Sequence, residues 1–131
     1  MGILNFLFGK NFTIGEGRIT DFDRQKLRER WLQIEQNRAL GKPSIMKIAI
    51  LDADKVLDDA LAIIYPRGAN MFERMKLAKD KFPEKRDYDD LWYAHKVRNV
   101  IAHEASYDLP TFEAGNVLDK YRKSLQQLGA L

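Results

Sequence analysis

The sequence contains no cysteine. This absence excludes a disulfide framework, a thiol nucleophile and a zinc site built from thiolates, and it fits the cytoplasmic location that we expect. Long hydrophobic runs are missing as well. The apolar run at residues 3–8 is far shorter than the roughly 20 residues that a membrane-spanning helix needs. No basic stretch precedes this run and no small-residue cleavage site follows it, so it is a poor candidate for a signal peptide.

A large excess of charge of one sign is also absent. The 22 basic and 19 acidic residues leave a net charge of +3, which permits a local basic patch but does not by itself indicate nucleic-acid binding. Hydrophobic residues make up 45% of the chain and charged residues 31%, a composition typical of folded globular proteins. At 131 residues, the chain is long enough to bury a core and short enough for one domain.

Apolar residues recur at helical spacing along most of the chain after residue 20, which indicates amphipathic helices. Gly41 and Pro43 separate the first two segments, because Gly ends helices and Pro starts them, and Asn70 is a good N-cap for the third. We predict helices over about residues 21–40, 44–64, 70–82, 87–104 and 111–128. The pattern therefore predicts an all-α protein, a helical bundle of four to five helices with short connections.

The first 20 residues differ from the rest, and we predict an N-terminal arm at 1–20 ahead of a single α-helical domain at 21–131. Residues 12–20 are interpreted as a small hairpin or an irregular segment. Gly15 and Gly17 indicate a turn there, since the third glycine of a dinucleotide-binding loop is absent. The apolar run at residues 3–8 has two interpretations: it contacts a partner or a membrane surface, or it packs against the bundle.

The predicted fourth helix has two distinct faces. At about 100° per residue, one face is apolar and is expected in the core: Tyr93, Ala94, Val97, Val100 and Ile101. The other face combines polar with apolar residues: His95, Arg98, Asn99 and His103, together with Leu91, Trp92 and Ala102. A face of this composition indicates a dimer surface or a ligand cleft rather than a plain solvated surface.

Three residues on that second face are suited to cleaving a phosphodiester without a metal. Histidine titrates near pH ~6.5, so an imidazole can take the proton of a ribose 2′-hydroxyl that attacks the adjacent phosphorus. A guanidinium is a permanent, forked cation that can stabilise charge on phosphate oxygens, and an amide can orient the histidine or contact phosphate. The candidate catalytic residues are Arg98, His103 and Asn99. The candidate RNA-binding or supporting residues are His95, Lys96 and Trp92.

The segment Arg98-Asn99-Val100-Ile101-Ala102-His103 resembles the signature of the HEPN superfamily. In that signature Arg is followed by a polar residue, and four to six positions in all separate the Arg from a His. The resemblance extends over about residues 43–131. It implies a helical domain without a cofactor, a homodimer formed through the signature helix, and an endoribonuclease that produces a 2′,3′-cyclic phosphate. It also implies a role in toxin, defence or RNA-processing systems, with RNA as substrate and an antitoxin or regulatory protein as a further partner.

The spacing of the signature raises a geometric question. Arg98 and His103 are five positions apart, or about 140° around an ideal helix, so they do not share one ridge. Either the helix loosens before His103, or two subunits pair their signature helices and build one composite site. The resemblance implies the second arrangement, in which dimerisation would also cover Leu91 and Trp92.

Other interpretations of the same residues remain open. The domain is a HEPN-like module that binds RNA, a nucleotide or a protein without catalysis, or it is an unrelated helical adaptor. His103 lies near a predicted helix end, where a cation is favoured by the helix dipole, and His95 fits a surface or interface position. Arg98 has possible ion-pair partners in Glu104, Asp108 or a second subunit.

Two further clusters receive simpler interpretations. His95, Asn99 and His103 have a spacing that superficially suggests metal ligands, but Asn is a poor ligand for transition metals and no partnered carboxylate is evident, so we predict no metal site. Four acidic residues of the predicted second helix are expected on a solvated face: Asp52, Asp54, Asp58 and Asp59.

Overall fold

A computed structural model describes residues 15–131. Within them the chain forms five α-helices and one short 3₁₀ helix. The α-helices are α1 (Asp21–Leu40), α2 (Pro43–Ile64), α3 (Met71–Leu77), α4 (Lys85–His103) and α5 (Thr111–Gln127), and the 3₁₀ helix (Ala78–Lys81) continues α3. The predicted all-α helical bundle is confirmed.

The N-terminal arm is described only in part. Residues 16–20 have no regular secondary structure and residue 15 lies in a turn, so this part of the arm is irregular and contains no strand. The apolar run at residues 3–8 and the first half of the predicted hairpin lie outside the described residues.

Local sequence signals set the ends of the helices. The Thr20 side chain accepts a hydrogen bond from the Asp23 backbone N–H, and the Asp23 carboxylate accepts one from the Thr20 N–H, both at 3.1 Å, so a capping box starts α1. Gly41 ends it in the left-handed conformation at φ 67°, where glycine carries no steric penalty. Asn70 caps α3 by accepting from the Glu73 N–H at 2.9 Å. These ends agree with the predicted ones.

Helix α2 is the central element of the bundle. It packs against α1, α3, α4 and α5, and α4 packs in turn against α5. The stripe that α2 buries consists of Met46, Ala49, Ile50, Ala53, Asp54, Val56, Leu57, Ala60, Leu61 and Ile64. All but one of these residues are apolar, and the exception, Asp54, lies where α2 meets α4 and α5.

The buried face of α4 differs from the predicted one. It consists of Asp87, Leu91, Ala94, Val97 and Ile101, and its centre is rotated by about 60° from the expected centre at 100° per residue. Leu91 is therefore in the core of one chain, so the prediction that a dimer covers it is wrong, whereas Tyr93 is 41% exposed. The reason is that α4 contacts α2 as well as α5, and the α2 side of this contact contains a polar partner for the α4 side chains.

No helix among residues 15–131 is long and apolar enough to cross a membrane.

Gly17 attaches the described part of the arm to the end of α2. Its N–H donates to the Ile64 carbonyl at 2.7 Å, and a Cβ placed on it would collide with the backbone carbonyl of Ile63. We expect Gly17→Ala to lower the free energy of unfolding by about 1–3 kcal/mol, as overpacking against a fixed group does. Urea unfolding of the variant and of the wild type measures this difference in free energy.

Gly41→Ala is the comparison for this prediction. A Cβ at Gly41 meets no atom within 4 Å, but the residue has φ 67°, so the expected loss of about 1–2 kcal/mol comes from backbone strain. Replacing Gly41 with Asn, which tolerates this conformation better, should recover part of that loss. The same exchange at Gly17 should recover nothing, and recovery there would contradict the steric explanation.

Candidate functional site

A buried carboxylate organises the polar side of α4. Asp54 is only 3% exposed, so its predicted position on a solvated face is wrong. Asp52 is exposed, and Asp58 and Asp59 are partly exposed and paired with cations, as expected of that face. A signal for Asp54 was present in the sequence, because it lies four residues after Ile50 and three before Leu57, both of them on the apolar stripe.

Side chains from two other helices converge on Asp54. The Tyr121 hydroxyl of α5 donates to Asp54 Oδ1 at 2.8 Å, and the same oxygen is 2.9 Å from His95 Nδ1 of α4. Arg98 Nε is 3.4 Å from Asp54 Oδ2. The Tyr121 hydroxyl also lies 3.0 Å from the Ala94 carbonyl. We refer to Asp54, His95, Arg98 and Tyr121 as the Asp54 cluster.

The hydrogen bond to Asp54 sets the orientation of the His95 imidazole. A carboxylate only accepts hydrogen bonds, so Nδ1 is the donor in this contact. In the neutral ring the other nitrogen, Nε2, is then an acceptor that is not engaged by Asp54. The side chain is 16% exposed, so His95 is half-buried at the edge of the bundle rather than fully solvated. The arrangement suits a residue that exchanges a proton with a ligand.

Arg98 also lies on the inner side of α4, and its ion-pair partner is Asp54 rather than Glu104 or Asp108. Its Nη1 donates to Asn99 Oδ1 at 3.1 Å. The buried Nε makes no hydrogen bond, although it is within ion-pair distance of Asp54. The side chain remains 37% exposed. Arg98 is thus held from two sides and still presents part of its guanidinium to solvent.

Burial raises the pKa of Tyr121 well above its usual value, and the negative charge of Asp54 and the hydrogen bond to it act in the same direction. Because the folded protein holds this proton more tightly than the unfolded chain, the contribution to stability is present below pH ~10, the usual tyrosine value. Above that pH we expect stability to fall by about 1.4 kcal/mol per pH unit from this residue. Urea unfolding across this range measures the slope.

Tyr121→Phe is the control for the pH prediction. The variant lacks the proton, so its unfolding free energy should fall less steeply with pH than that of the wild type. Burial raises the pKa of Tyr65 as well, and that contribution remains in both proteins. Parallel slopes for the two proteins would contradict the assignment to Tyr121.

An open groove lies beside the Asp54 cluster. It has a volume of about 500 Å³ and is lined by Phe72, Trp92, Tyr93, His95, Lys96 and Asn99. We call it the aromatic groove. All three residues predicted to bind RNA or support the site line it, as does one of the predicted catalytic residues. Phe72 was not predicted, and its only signal in the sequence is an aromatic side chain off the buried stripe of α3.

His103 lies apart from these residues. It is the last residue of α4 and is exposed, and its side chain has no hydrogen bond or ion pair with any of residues 15–131. The helix stays regular to its end, since the Glu104 N–H bonds to the Val100 carbonyl at 2.9 Å. The loosening that would bring His103 towards Arg98 within one chain is therefore not observed. The structure brings His95, Arg98 and Asn99 together but leaves His103 outside.

Residues 15–131 contain no group of three or more His, Asp or Glu side chains placed to hold a metal ion. Comparisons of the chain with protein-family models, with curated proteins and with solved structures found no match. A functional proposal therefore depends on the motif in α4 and on the geometry around it.

Proposed function

We propose that the protein is a metal-independent endoribonuclease of the HEPN type that acts as a homodimer. The observation that carries the proposal is the Asp54 cluster, which holds Arg98 and His95 side by side, next to Asn99. His95 and Asn99 also line an open groove, and Arg98 is joined to this groove through its hydrogen bond to Asn99. A fixed cation beside a groove can stabilise charge on a scissile phosphate, and an imidazole can transfer the proton when the 2′-hydroxyl attacks.

Each residue has a distinct role in this proposal. Arg98 stabilises the negative charge that builds on the phosphate oxygens during attack. Asn99 holds the guanidinium through its side-chain oxygen. His103 is the proton-transfer residue of the signature, and its imidazole makes no hydrogen bond or ion pair with residues 15–131. His95 supports the site from the inner side of the helix, with Asp54 behind it.

The geometry of one helix supports the proposed dimer. Because α4 is regular through His103, Arg98 and His103 of one chain point about 140° apart and do not meet at one phosphate. Two α4 helices related by a two-fold axis would present the arginine of one protomer to the histidine of the other. A nuclease of this kind acts in toxin, defence or RNA-processing systems, where an antitoxin or other regulatory protein controls it.

Cleavage of single-stranded RNA in excess EDTA tests the proposal. We expect products that end in a 2′,3′-cyclic phosphate, because the 2′-hydroxyl is the nucleophile. DNA of the same sequence should remain intact, since it lacks that group. Sedimentation should show a dimer at the concentrations used. Cleavage that needs a divalent cation, or equal cleavage of DNA, would exclude this mechanism.

One observation favours a second function, a HEPN-like module that binds RNA, a nucleotide or a protein without cleaving RNA. Arg98 already has a carboxylate partner in Asp54, which reduces the charge available to a phosphate. Under this alternative the protein retains RNA in a binding assay, but the RNA stays intact after long incubation with and without metal.

A further inference from the structure

The aromatic groove has walls that are fixed by ring contacts. Phe72 of α3 and Trp92 of α4 meet edge to face, with ring centroids 5.4 Å apart and planes at 74°. Trp92 also meets Tyr88 edge to face at 6.2 Å, and the Tyr88 hydroxyl donates to the Met75 carbonyl at 3.0 Å. The indole is thus positioned by both helices before any ligand arrives.

The rings of the groove are open to solvent. Phe72 is 54% exposed and Tyr93 is 41% exposed, and an exposed cluster of aromatic rings in a concave site is typical of ligand binding. The volume of about 500 Å³ lies within the range of about 300–1,000 Å³ usual for small-molecule pockets. The groove therefore has both the surface and the size to hold one planar ring system.

The polar residues of the groove indicate which ring system fits. His95 and Asn99 offer hydrogen-bonding groups along one side, and Lys96 adds a positive charge. Lys76 lies 5.2 Å from the centre of the Phe72 ring and 3.7 Å from the Glu73 carboxylate, which brings a second, paired cation near the groove. None of the six lining residues is acidic. Aromatic faces combined with amide groups and flanking cations are the features that bind an unpaired base and its phosphates.

We propose that the aromatic groove binds one unstacked base of single-stranded RNA, next to the phosphate that is cleaved. This inference rests on the proposed function and names the part of the substrate that occupies the groove. Asn99 connects the two parts of the site, because it lines the groove and accepts a hydrogen bond from Arg98. The base stacks on Phe72 and Trp92, while Lys96 and Lys76 neutralise neighbouring phosphates.

The charge of the aromatic groove disfavours its being filled by the same groove of a second protomer. Two such grooves facing each other would place the Lys96 of each copy in an interface where no lining residue is acidic, and a cation without a charged partner opposes association. An RNA strand, by contrast, supplies both a flat ring and negative charge.

Tryptophan fluorescence tests the proposal without requiring cleavage. The chain has two tryptophans, and the other one, Trp31, is buried on α1 with its indole N–H bonded to Glu35 at 3.1 Å. The probe is a short single-stranded 2′-O-methyl oligonucleotide, which cannot be cleaved because its 2′-oxygen is blocked. We expect it to quench emission in the Trp31→Phe variant and to leave emission of the Trp92→Phe variant unchanged. Equal quenching in both variants, or none in either, would overturn the proposal.

A surface variant keeps the test valid if replacement of the buried Trp31 disturbs folding. Phe72→Ala should weaken binding of the labelled oligonucleotide by about 5- to 150-fold, the effect of removing one stacking side chain. Phe112→Ala is the matched control, since Phe112 is 74% exposed but lies on α5 and outside the groove. Equal affinities of the two variants would overturn the proposal. So would Trp92 emission that changes on dimerisation alone, because the groove would then be covered by a second copy.

The two proposals fail in different ways. If the oligonucleotide quenches Trp92 but no RNA is cleaved under any condition, the proposed enzyme activity is wrong and the base-binding groove stands. If RNA is cleaved and Phe72→Ala behaves like Phe112→Ala in both KM and affinity, the activity stands and the base-binding groove is wrong.

Discussion

Replacement of Arg98 by Ala is expected to lower the rate of RNA cleavage by about 10²–10³-fold, which is the usual cost of removing one group that stabilises transition-state charge. His103→Ala should lower it by about 10²–10⁴-fold, the range for a general acid or base. His103 is exposed and has no polar contact among residues 15–131, so that variant should fold like the wild type. Initial rates on single-stranded RNA in EDTA measure both effects.

The matched control for Arg98→Ala is Arg86→Ala. Arg86 is an exposed arginine in the first turn of the same helix, and it does not line the groove. Its replacement removes the same charge and should change the rate by less than about twofold, as expected for a surface residue with no role in the transition state. A loss of activity equal to that of Arg98→Ala would show that net charge, and not position, explains the result.

Mixing the two inactive variants tests whether the site is shared between protomers. A dimer of one Arg98→Ala and one His103→Ala chain retains one composite site with both groups, so exchange of subunits should restore activity. Random exchange gives about one half mixed dimers with one of two sites intact, or about a quarter of the wild-type rate. A mixture that stays inactive after exchange would contradict the shared site.

Asp54→Asn is expected to reduce both stability and activity. The amide keeps the shape of the side chain but loses the charge that faces Arg98. Its NH2 group must also replace either Oδ2, which faces Arg98, or Oδ1, which both His95 and Tyr121 use. We expect the free energy of unfolding to fall by about 1–3 kcal/mol, the cost of leaving a buried polar group without its partner. Cleavage should fall by about 10- to 100-fold, comparable to the loss of a supporting hydrogen-bond partner of histidine in metal sites.

The position of the proton on the His95 ring distinguishes a positioning role of Asp54 from a purely structural role. A loss of stability alone would not move the proton between the two ring nitrogens. In the wild type the bond to Asp54 keeps the proton on Nδ1, and nitrogen NMR of the imidazole should show that tautomer. In Asp54→Asn the preference should weaken. Asp52→Asn is the matched control, because it removes an exposed acidic group from the same helix and should change neither stability nor the NMR signal. An unchanged tautomer in Asp54→Asn would contradict the positioning role.

The helices were predictable because their ends are determined by nearby residues. Thr20 and Asp23 start α1, Gly41 ends it, and Asn70 starts α3, and each of these signals acts within a few positions of the chain. The 3₁₀ helix after α3 was not predicted, because a single hydrophobic periodicity covers both segments. Asn70 and the apolar spacing alone do not show where the backbone changes from α-helical to 3₁₀ geometry.

The orientation of α4 was predicted incorrectly because amphipathic periodicity places polar residues in water. Arg98 and His95 face the interior because Asp54 provides a buried carboxylate partner for both side chains. Asp54 lies 41 positions before His95 in the sequence. A pairing of this kind depends on how α2 and α4 pack, which local patterns do not contain. Phe72 was missed for a similar reason, because its place in the groove depends on α3 lying against α4.

The position of Tyr121 provides a spectroscopic probe that needs no label. Its hydroxyl is enclosed between Asp54 Oδ1 and the Ala94 carbonyl and the side chain is fully buried, so its proton should exchange slowly with water and give a resolved resonance far downfield. Asp54 also contacts His95 at the rim of the groove. An oligonucleotide that binds His95 should therefore change the hydrogen bonding of the Asp54 carboxylate and so shift the Tyr121 resonance.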